Sequence, residues 1–214
     1  IRHCLLSHVL LHVVCECRRE GGARGEQGGG EWKKLPDMTE KRGSYPGVVT
    51  IKHGPYNRIF VFGGEDGSQW LRCGEFFDIG AKSWTMVNAK MATPRTFTAA
   101  VLLNHTAIVI CGGLDKSYQS LASCELFDLI TSKFDSFPDL IEARDGHAAV
   151  HYSDTIVVVG GFRKKSCENF DAAANKWTKF PSLQEDRSYF GAAVIDEKIL
   201  VAGGSETGSV EVYD

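Results

Sequence analysis

The sequence predicts an all-β fold of four tandem, four-stranded sheets, and two observations predict it. A Gly-Gly pair recurs behind an apolar run at Gly63-Gly64, Gly112-Gly113, Gly160-Gly161 and Gly203-Gly204, the first glycines lying 49, 48 and 43 residues apart. Beyond each pair stand a Glu and, three residues later, an Asp preceded by an aromatic: Glu75…Phe77-Asp78, Glu125…Phe127-Asp128, Glu168…Phe170-Asp171 and Glu211…Tyr213-Asp214. A period near fifty marks an array of equivalent units, none of which can bury its faces alone.

Each unit reads as four short strands, a to d. Strand a follows an arginine (Arg95, Arg144, Arg187) and is small and apolar, as in Ala99-Ala100-Val101. Strand b is the apolar run before the glycines, such as Ile156 to Val159, and its consecutive apolar residues require burial on both faces. Strand c carries the Glu-x-aromatic-Asp pattern and alternates, as a half-buried strand does. Strand d surrounds an aromatic six residues past the Asp: Trp84, Phe134 or Trp177. A proline follows at an offset of four in Trp32/Pro36, Phe134/Pro138 and Trp177/Pro181, while Trp84 is followed by Asn88. Tandem four-stranded sheets that cover one another are the blades of a β-propeller.

Together, the Gly-Gly, the Glu-x-aromatic-Asp, the spaced Trp and the following Arg resemble kelch repeats over residues 31–214. Two departures stand out. Phe134 replaces one Trp, and the first unit has Lys41-Arg42-Gly43-Ser44-Tyr45 where a single aligned Arg is expected. The strands order as d, three times a-b-c-d, then a-b-c. Kelch propellers resemble rings of five to seven blades, most often six. The expectation is therefore an incomplete arc with open apolar flanks, Trp32 lying in the outer strand of a blade whose other strands are missing or supplied from elsewhere.

Residues 1–30 stand apart from the repeats. Residues 4–14 are apolar enough for a short helix, and the run from Gly21 to Gly30 reads as a flexible linker. Cys4, His8, His12 and Cys15 fall on one helical face, but one face cannot surround a tetrahedral ion, so no metal site is expected. Ile1-Arg2-His3-Cys4-Leu5-Leu6-Ser7 is similar to the Arg-x-x-Leu-Leu-Ser segment near the end of BACK domains. Those domains precede kelch propellers in many adaptors of cullin-type ubiquitin ligases.

Composition narrows the function. A net charge of −3 with 24% charged residues gives no basic footprint for nucleic acid. The apolar stretch near the N-terminus is too short to span a bilayer. Seven cysteines, of which Cys111, Cys124 and Cys167 fall in strands, read as small core residues in a reducing compartment, which points to the cytoplasm. No phosphate loop, His-Glu-x-x-His, Gly-x-Ser-x-Gly or Cys-x-x-Cys occurs, so neither a catalytic residue nor a cofactor is expected. The reading is a non-catalytic protein-binding module, as substrate receptor of a ubiquitin-ligase adaptor or as a cytoskeletal scaffold. The alternative is a propeller enzyme acting on a sugar or small metabolite.

The repeat length varies mainly between strands b and c, where a surface can change without touching the core. Strand alternation puts these b–c loops at the same end as the d–a loops. The expected partner-binding surface is therefore Asp66, Ser68, Trp70, Asp115, Tyr118, Arg163, Lys164 and Lys165, with Arg95, Arg144 and Arg187 gathered around the channel mouth. Guanidinium forks beside aromatics suit a protein or peptide partner carrying an acidic motif. The alternative for the arginines is structural: each ties its loop to a neighbouring blade through carbonyls or carboxylates such as Asp145 and Asp186.

Overall fold

The structure, a computed structural model, describes residues 31–53, 56–205 and 207–214. The short helix, the glycine linker and the BACK-like segment expected within residues 1–30 lie outside the described residues. Among the described residues, fifteen strands form four antiparallel sheets. The first sheet holds β1 (Gly47–His53), β2 (Tyr56–Phe62), β3 (Gly74–Asp78) and β4 (Ser83–Met86). The second holds β5 (Ala99–Asn104), β6 (Ala107–Cys111), β7 (Cys124–Asp128) and β8 (Lys133–Phe137). The third holds β9 (Ala148–Tyr152), β10 (Thr155–Val159), β11 (Cys167–Asp171) and β12 (Lys176–Phe180). The fourth holds β13 (Gly191–Ile195), β14 (Lys198–Ala202) and β15 (Val210–Tyr213). Every sheet is a simple meander in chain order, and the inner strands pack in the order β1, β5, β9, β13. This is a four-bladed propeller arrangement.

The double apolar face of strand b has the expected cause. In β6, Val109 and Cys111 face the third blade, while Ile108 and Ile110 face the first. In β10, Ile156 and Val158 turn to the second blade, Val157 and Val159 to the fourth. Volumes compensate across the b–c register. Phe62 lies opposite Gly74, whose missing Cβ would sit 2.4 Å from the Phe62 ring, while Val159 lies opposite Cys167 and Cys111 opposite Cys124. A methylene misplaced in a packed core is felt. On the fourth sheet the face that would meet a following blade is open, with Ile195 of β13 and Val210 and Val212 of β15 exposed.

The repeated Asp is a turn former. The Oδ1 of Asp78 accepts from Ala81 N–H at 2.9 Å, that of Asp128 from Thr131 N–H at 2.7 Å, and that of Asp171 from Ala174 N–H at 3.0 Å. These backbone bonds hold the Asp78 and Asp128 carboxyls below the usual carboxylate range. The turns close through left-handed Lys82, Ser132 and Asn175.

The Trp–Pro spacing also finds a cause. Trp84 Nε1 donates to Pro36 O at 3.0 Å, and Trp177 Nε1 to Pro138 O at 2.8 Å. Each indole therefore bonds the proline carbonyl of the preceding unit. Phe134, which stands in place of a Trp, and Asn88, which stands in place of a Pro, occupy the corresponding positions of one interface.

One expectation needs correcting. No strand forms around Trp32: residues 31–38 are irregular, Trp32 is fully exposed, and β15 pairs only with β14. A single outer strand has no ladder to join when no third strand stands beside it. The segment after it instead runs as a d–a connection onto the first blade, with Thr39 N–H and Glu40 N–H donating to Glu75.

Candidate functional site

The arginines are not at the mouth's surface. Arg95, Arg144 and Arg187 are 0–1% exposed, and each guanidinium closes a clamp within its own blade. Arg144 Nη1 donates to Gly160 O at 2.6 Å and Ser166 O at 2.9 Å, while Nη2 donates to Ser166 Oγ at 3.3 Å and Glu168 Oε1 at 2.6 Å. Arg95 repeats the set on Gly112 O, Ser123 and Glu125, and Arg187 on Gly203 O, Ser209 and Glu211. Backbone N–H groups of the incoming d–a connection complete the carboxylate: in the third blade Ile141 N–H donates to the second oxygen at 2.7 Å and Glu142 N–H to Oε1 at 3.1 Å. The two terminal nitrogens of each guanidinium are thereby satisfied, as a buried ion pair requires. The Nε of each is buried without a partner, out of reach of a docking protein's carboxylate. The structure therefore places these three side chains inside the blades and not on the loop surface, and their carboxylates are Glu125, Glu168 and Glu211, not Asp145 or Asp186.

The ambiguous Lys41-Arg42 stretch resolves in the same way. Arg42 is the clamp residue of the first blade, with Nε donating to Glu75 Oε1 at 2.9 Å and Nη1 to Gly63 O and Cys73 O. Cys73 takes the place that Ser123, Ser166 and Ser209 hold elsewhere. A Ser or Cys two residues before each Glu was a visible signal of this clamp.

At Glu211 the clamp has a pH signature. Burial pushes this carboxyl up, but the N–H groups of Gln184 and Glu185 and the Arg187 guanidinium outweigh it, so the net shift is downward. A depressed carboxyl contributes stability that is full above its unfolded value of 4.5 and lost as pH falls through the folded value. Glu211→Gln should therefore flatten the fall of the melting temperature with acid below that pH. An unchanged acid slope would show that this clamp is not ionised.

The d–a and b–c loops do share one end. Gly43 bridges Glu65, and Thr96 bridges Leu114. The second residue after each clamp arginine is left-handed in every blade: Ser44 (φ 47°), Phe97 (52°), Gly146 (60°) and Tyr189 (56°). Backbone bonds link these positions across blades, Tyr189 N–H to Gly146 O at 2.9 Å and Gly146 N–H to Phe97 O at 3.0 Å. Thr96 Oγ1 donates to Ser44 O. Left-handed Phe and Tyr carry steric cost, and such strain gathers where a side chain must be aimed.

These residues aim rings. Tyr45 stacks on Phe97 with centroids 5.0 Å apart, and Tyr189 lies 5.3 Å from both. A Cβ on Gly146 would sit 2.7 Å from the Tyr189 ring, so the glycine makes room for it. Burial, then Asp145 and Tyr45 nearby, push the Tyr189 phenol up to about 12, which keeps it a neutral hydroxyl. Three blades thus contribute one aromatic cluster at the end of a channel of about 610 Å³ walled by Val48, Ala99, Val101, Ala148, Val150 and Ala192. The sequence reading missed this cluster, although an aromatic two or three residues past the arginine in three units was its signal.

The b–c loop residues divide by task. Asp66 Oδ1 accepts Ser68 N–H, Ser68 Oγ–H and Gln69 N–H, which hold its carboxyl far below the usual range, and Asp115 accepts Ser117 N–H and Gln119 N–H. Asp66, Ser68 and Asp115 shape their own loops. Trp70 and Tyr118, from adjacent blades, meet edge-to-face at 5.2 Å, and Tyr118 is 74% exposed. Lys164 pairs with Glu142 at 3.0 Å, Arg163 lies over the Phe162 ring, and Lys165 is exposed. Among the described residues, no group of three metal-ligating side chains converges, and no helix is long and apolar enough to cross a membrane.

Sheets in tandem, each clamped by an Arg–Glu pair beneath a loop-built face, define a repeat propeller. The sequence matches the family of the KLHDC2/KLHL20/DRC7 Kelch-repeats domain over residues 30–204, and the chain belongs to the kelch-repeat family. It is similar to the Kelch repeat-containing protein kel-10 of Caenorhabditis elegans, with 30% identity over 59% of this chain and 22% of the relative. The Spermatocyte protein spe-26 of the same organism shows 28% identity over 62% of this chain and 23% of its own length. The Kelch repeat and BTB domain-containing protein F47D12.7, also from that organism, shows 30% over 59% and 21%. The chain spans about a fifth of the length of these relatives. The solved structure of YjhT superposes with a TM-score of 0.69 at 15% identity, covering 81% of this chain and 63% of YjhT, which shows a shared fold.

Proposed function

We propose that this chain is a non-catalytic module that captures a partner protein on the face built by its b–c and d–a loops. The observation that carries the reading is the concentration of rings at that end: Tyr45, Phe97 and Tyr189 in mutual contact, and a second pair, Trp70 and Tyr118, on the b–c loops. Aromatic side chains bring large contact area at low entropic cost and are enriched in binding hot spots. The partner is an extended segment of a protein, and any acidic preference rests on the exposed Arg163 and Lys165.

Within a longer protein, the module serves as substrate receptor of a cullin-type ubiquitin-ligase adaptor. Two features support this: a relative whose name couples kelch repeats to a BTB domain, and the BACK-like residues 1–7. Co-purification of a cullin with the natural full-length protein is the expected result. Its absence, with partner capture intact, would remove the ligase role alone.

The binding face is tested by Tyr118→Ala with Lys165→Ala. Partner retention should fall about tenfold or more, as loss of a hot spot does, while the melting temperature stays within about 2 °C. Ile130→Ser, at an exposed turn of the opposite end, should leave retention unchanged. Unchanged capture by the Tyr118/Lys165 variant would place recognition elsewhere.

A further inference from the structure

Blade two differs from its neighbours in one buried detail. Cys111, the last residue of β6, lies directly opposite Cys124, the first of β7. One step on, Gly112 N–H donates to Ser123 O at 3.1 Å, so 112/123 is the hydrogen-bonded kind of pair and 111/124 the close, non-hydrogen-bonded kind. Such partners have Cα atoms about 4.5 Å apart, within the window of about 4.4–6.8 Å that a disulfide spans. The equivalent pairs are Phe62/Gly74, Val159/Cys167 and Ala202/Val210, so only this one offers two thiols.

A base stands beside the pair. His147, from the d–a connection entering the third blade, places Nε2 3.7 Å from Cys111 Sγ. Its Nδ1 is buried without a hydrogen-bond partner, an unusual expense for a structural histidine. Both thiols are 0–3% exposed, in the core between the second and third blades.

We propose that Cys111 and Cys124 form a peroxide-oxidised thiol pair, with Cys111 attacking and Cys124 resolving. The Cys111 proton passes to His147 Nε2. The thiolate attacks one peroxide oxygen, forming an S–O bond and breaking the O–O bond, and the departing hydroxide takes the proton back from His147 as water. Cys124 sulfur then displaces hydroxide from the Cys111 sulfenic acid, and its own proton completes the second water. Two thiols and one peroxide give one disulfide and two waters, with two electrons passing from sulfur to peroxide. The polarity follows the surroundings. The Cys124 thiol, then His147 and Arg95, hold Cys111 below the ordinary cysteine range despite its burial, whereas burial pushes Cys124 up.

Burial sets the oxidant. Hydrogen peroxide is small enough to reach a core thiol during slight local opening, whereas glutathione disulfide is not. The bond would fasten the base of the b–c loop that carries Asp115 and Tyr118. Cys73 and Cys167, also buried, lack an opposing thiol and serve as internal controls.

The test is peptide mapping of the folded chain after hydrogen peroxide, with remaining thiols alkylated under denaturing conditions. Trypsin cuts after Lys116, between the two cysteines, so a disulfide appears as two joined peptides two hydrogens lighter. The expected result is a Cys111–Cys124 link formed by peroxide and not by glutathione disulfide, with Cys73 and Cys167 still reduced. Cys124→Ala should leave a sulfenic acid on Cys111 that dimedone traps when the chain is unfolded in its presence. His147→Phe should slow the linkage about tenfold without abolishing it. Full alkylation of Cys111 and Cys124 after peroxide would overturn the proposal, as would oxidation of Cys73 and Cys167 to the same extent as Cys111 and Cys124.

Discussion

Replacing Arg144 with alanine should cost about 3–5 kcal/mol, because it strands the Glu168 carboxylate and two carbonyls in the core. For a chain of this length that is a fall of roughly ten degrees or more in melting temperature. The loss is large because the guanidinium meets four acceptors, at Gly160 O, Ser166 O, Ser166 Oγ and Glu168 Oε1. Arg144→Lys should recover only part of it, since a point charge cannot serve a forked set of acceptors. Arg163→Ala, three residues past Gly160 and exposed, should shift the melting temperature by less than about 2 °C. Equal effects at Arg144 and Arg163 would contradict the clamp.

The second large effect is expected at the glycine pair. Gly63 has φ 69°, and a Cβ there would sit 2.3 Å from the Arg95 carbonyl oxygen, which also accepts Gly64 N–H at 2.9 Å. Gly63→Ala should therefore cost about 2–5 kcal/mol, combining left-handed strain with a backbone clash across the blade interface. Gly203 is its equivalent in the fourth blade, with φ 71° and no atom within 4 Å of an added Cβ. Gly203→Ala should cost only the strain, about 1–2 kcal/mol. Chemical denaturation of both variants isolates the contact: equal losses would mean that blade-to-blade approach does not explain the glycines.

These contrasts show what was legible in the sequence. Four apolar runs closed by Gly-Gly, with Glu and Asp three apart, required stacked four-stranded sheets, and the strands fall where those landmarks lie. The outer strand at Trp32 did not form, because a strand needs a ladder and composition cannot say whether one is present. Spacing placed Arg95, Arg144 and Arg187 at one end of the propeller but could not say which way the side chains turn. That direction depends on Ser123, Ser166 and Ser209 two residues before each Glu, a pattern that gains meaning only once strand c is seen beside the d–a connection. The aromatic cluster was hidden for a related reason. Tyr45, Phe97 and Tyr189 are far apart in sequence and meet because a left-handed residue after each clamp turns the rings toward one axis.

Recognition on the loop face, with the arginines as architecture, is tested most directly by site-specific photocrosslinking of the bound partner. A photoreactive side chain at position 118 should crosslink the captured protein, while the same group at position 130, on the opposite end, should not. Tyr45→Ser with Tyr189→Ser should abolish the crosslink from position 118 while the chain stays folded. A partner that crosslinks from position 130 and not from position 118 would contradict the assignment of the binding face.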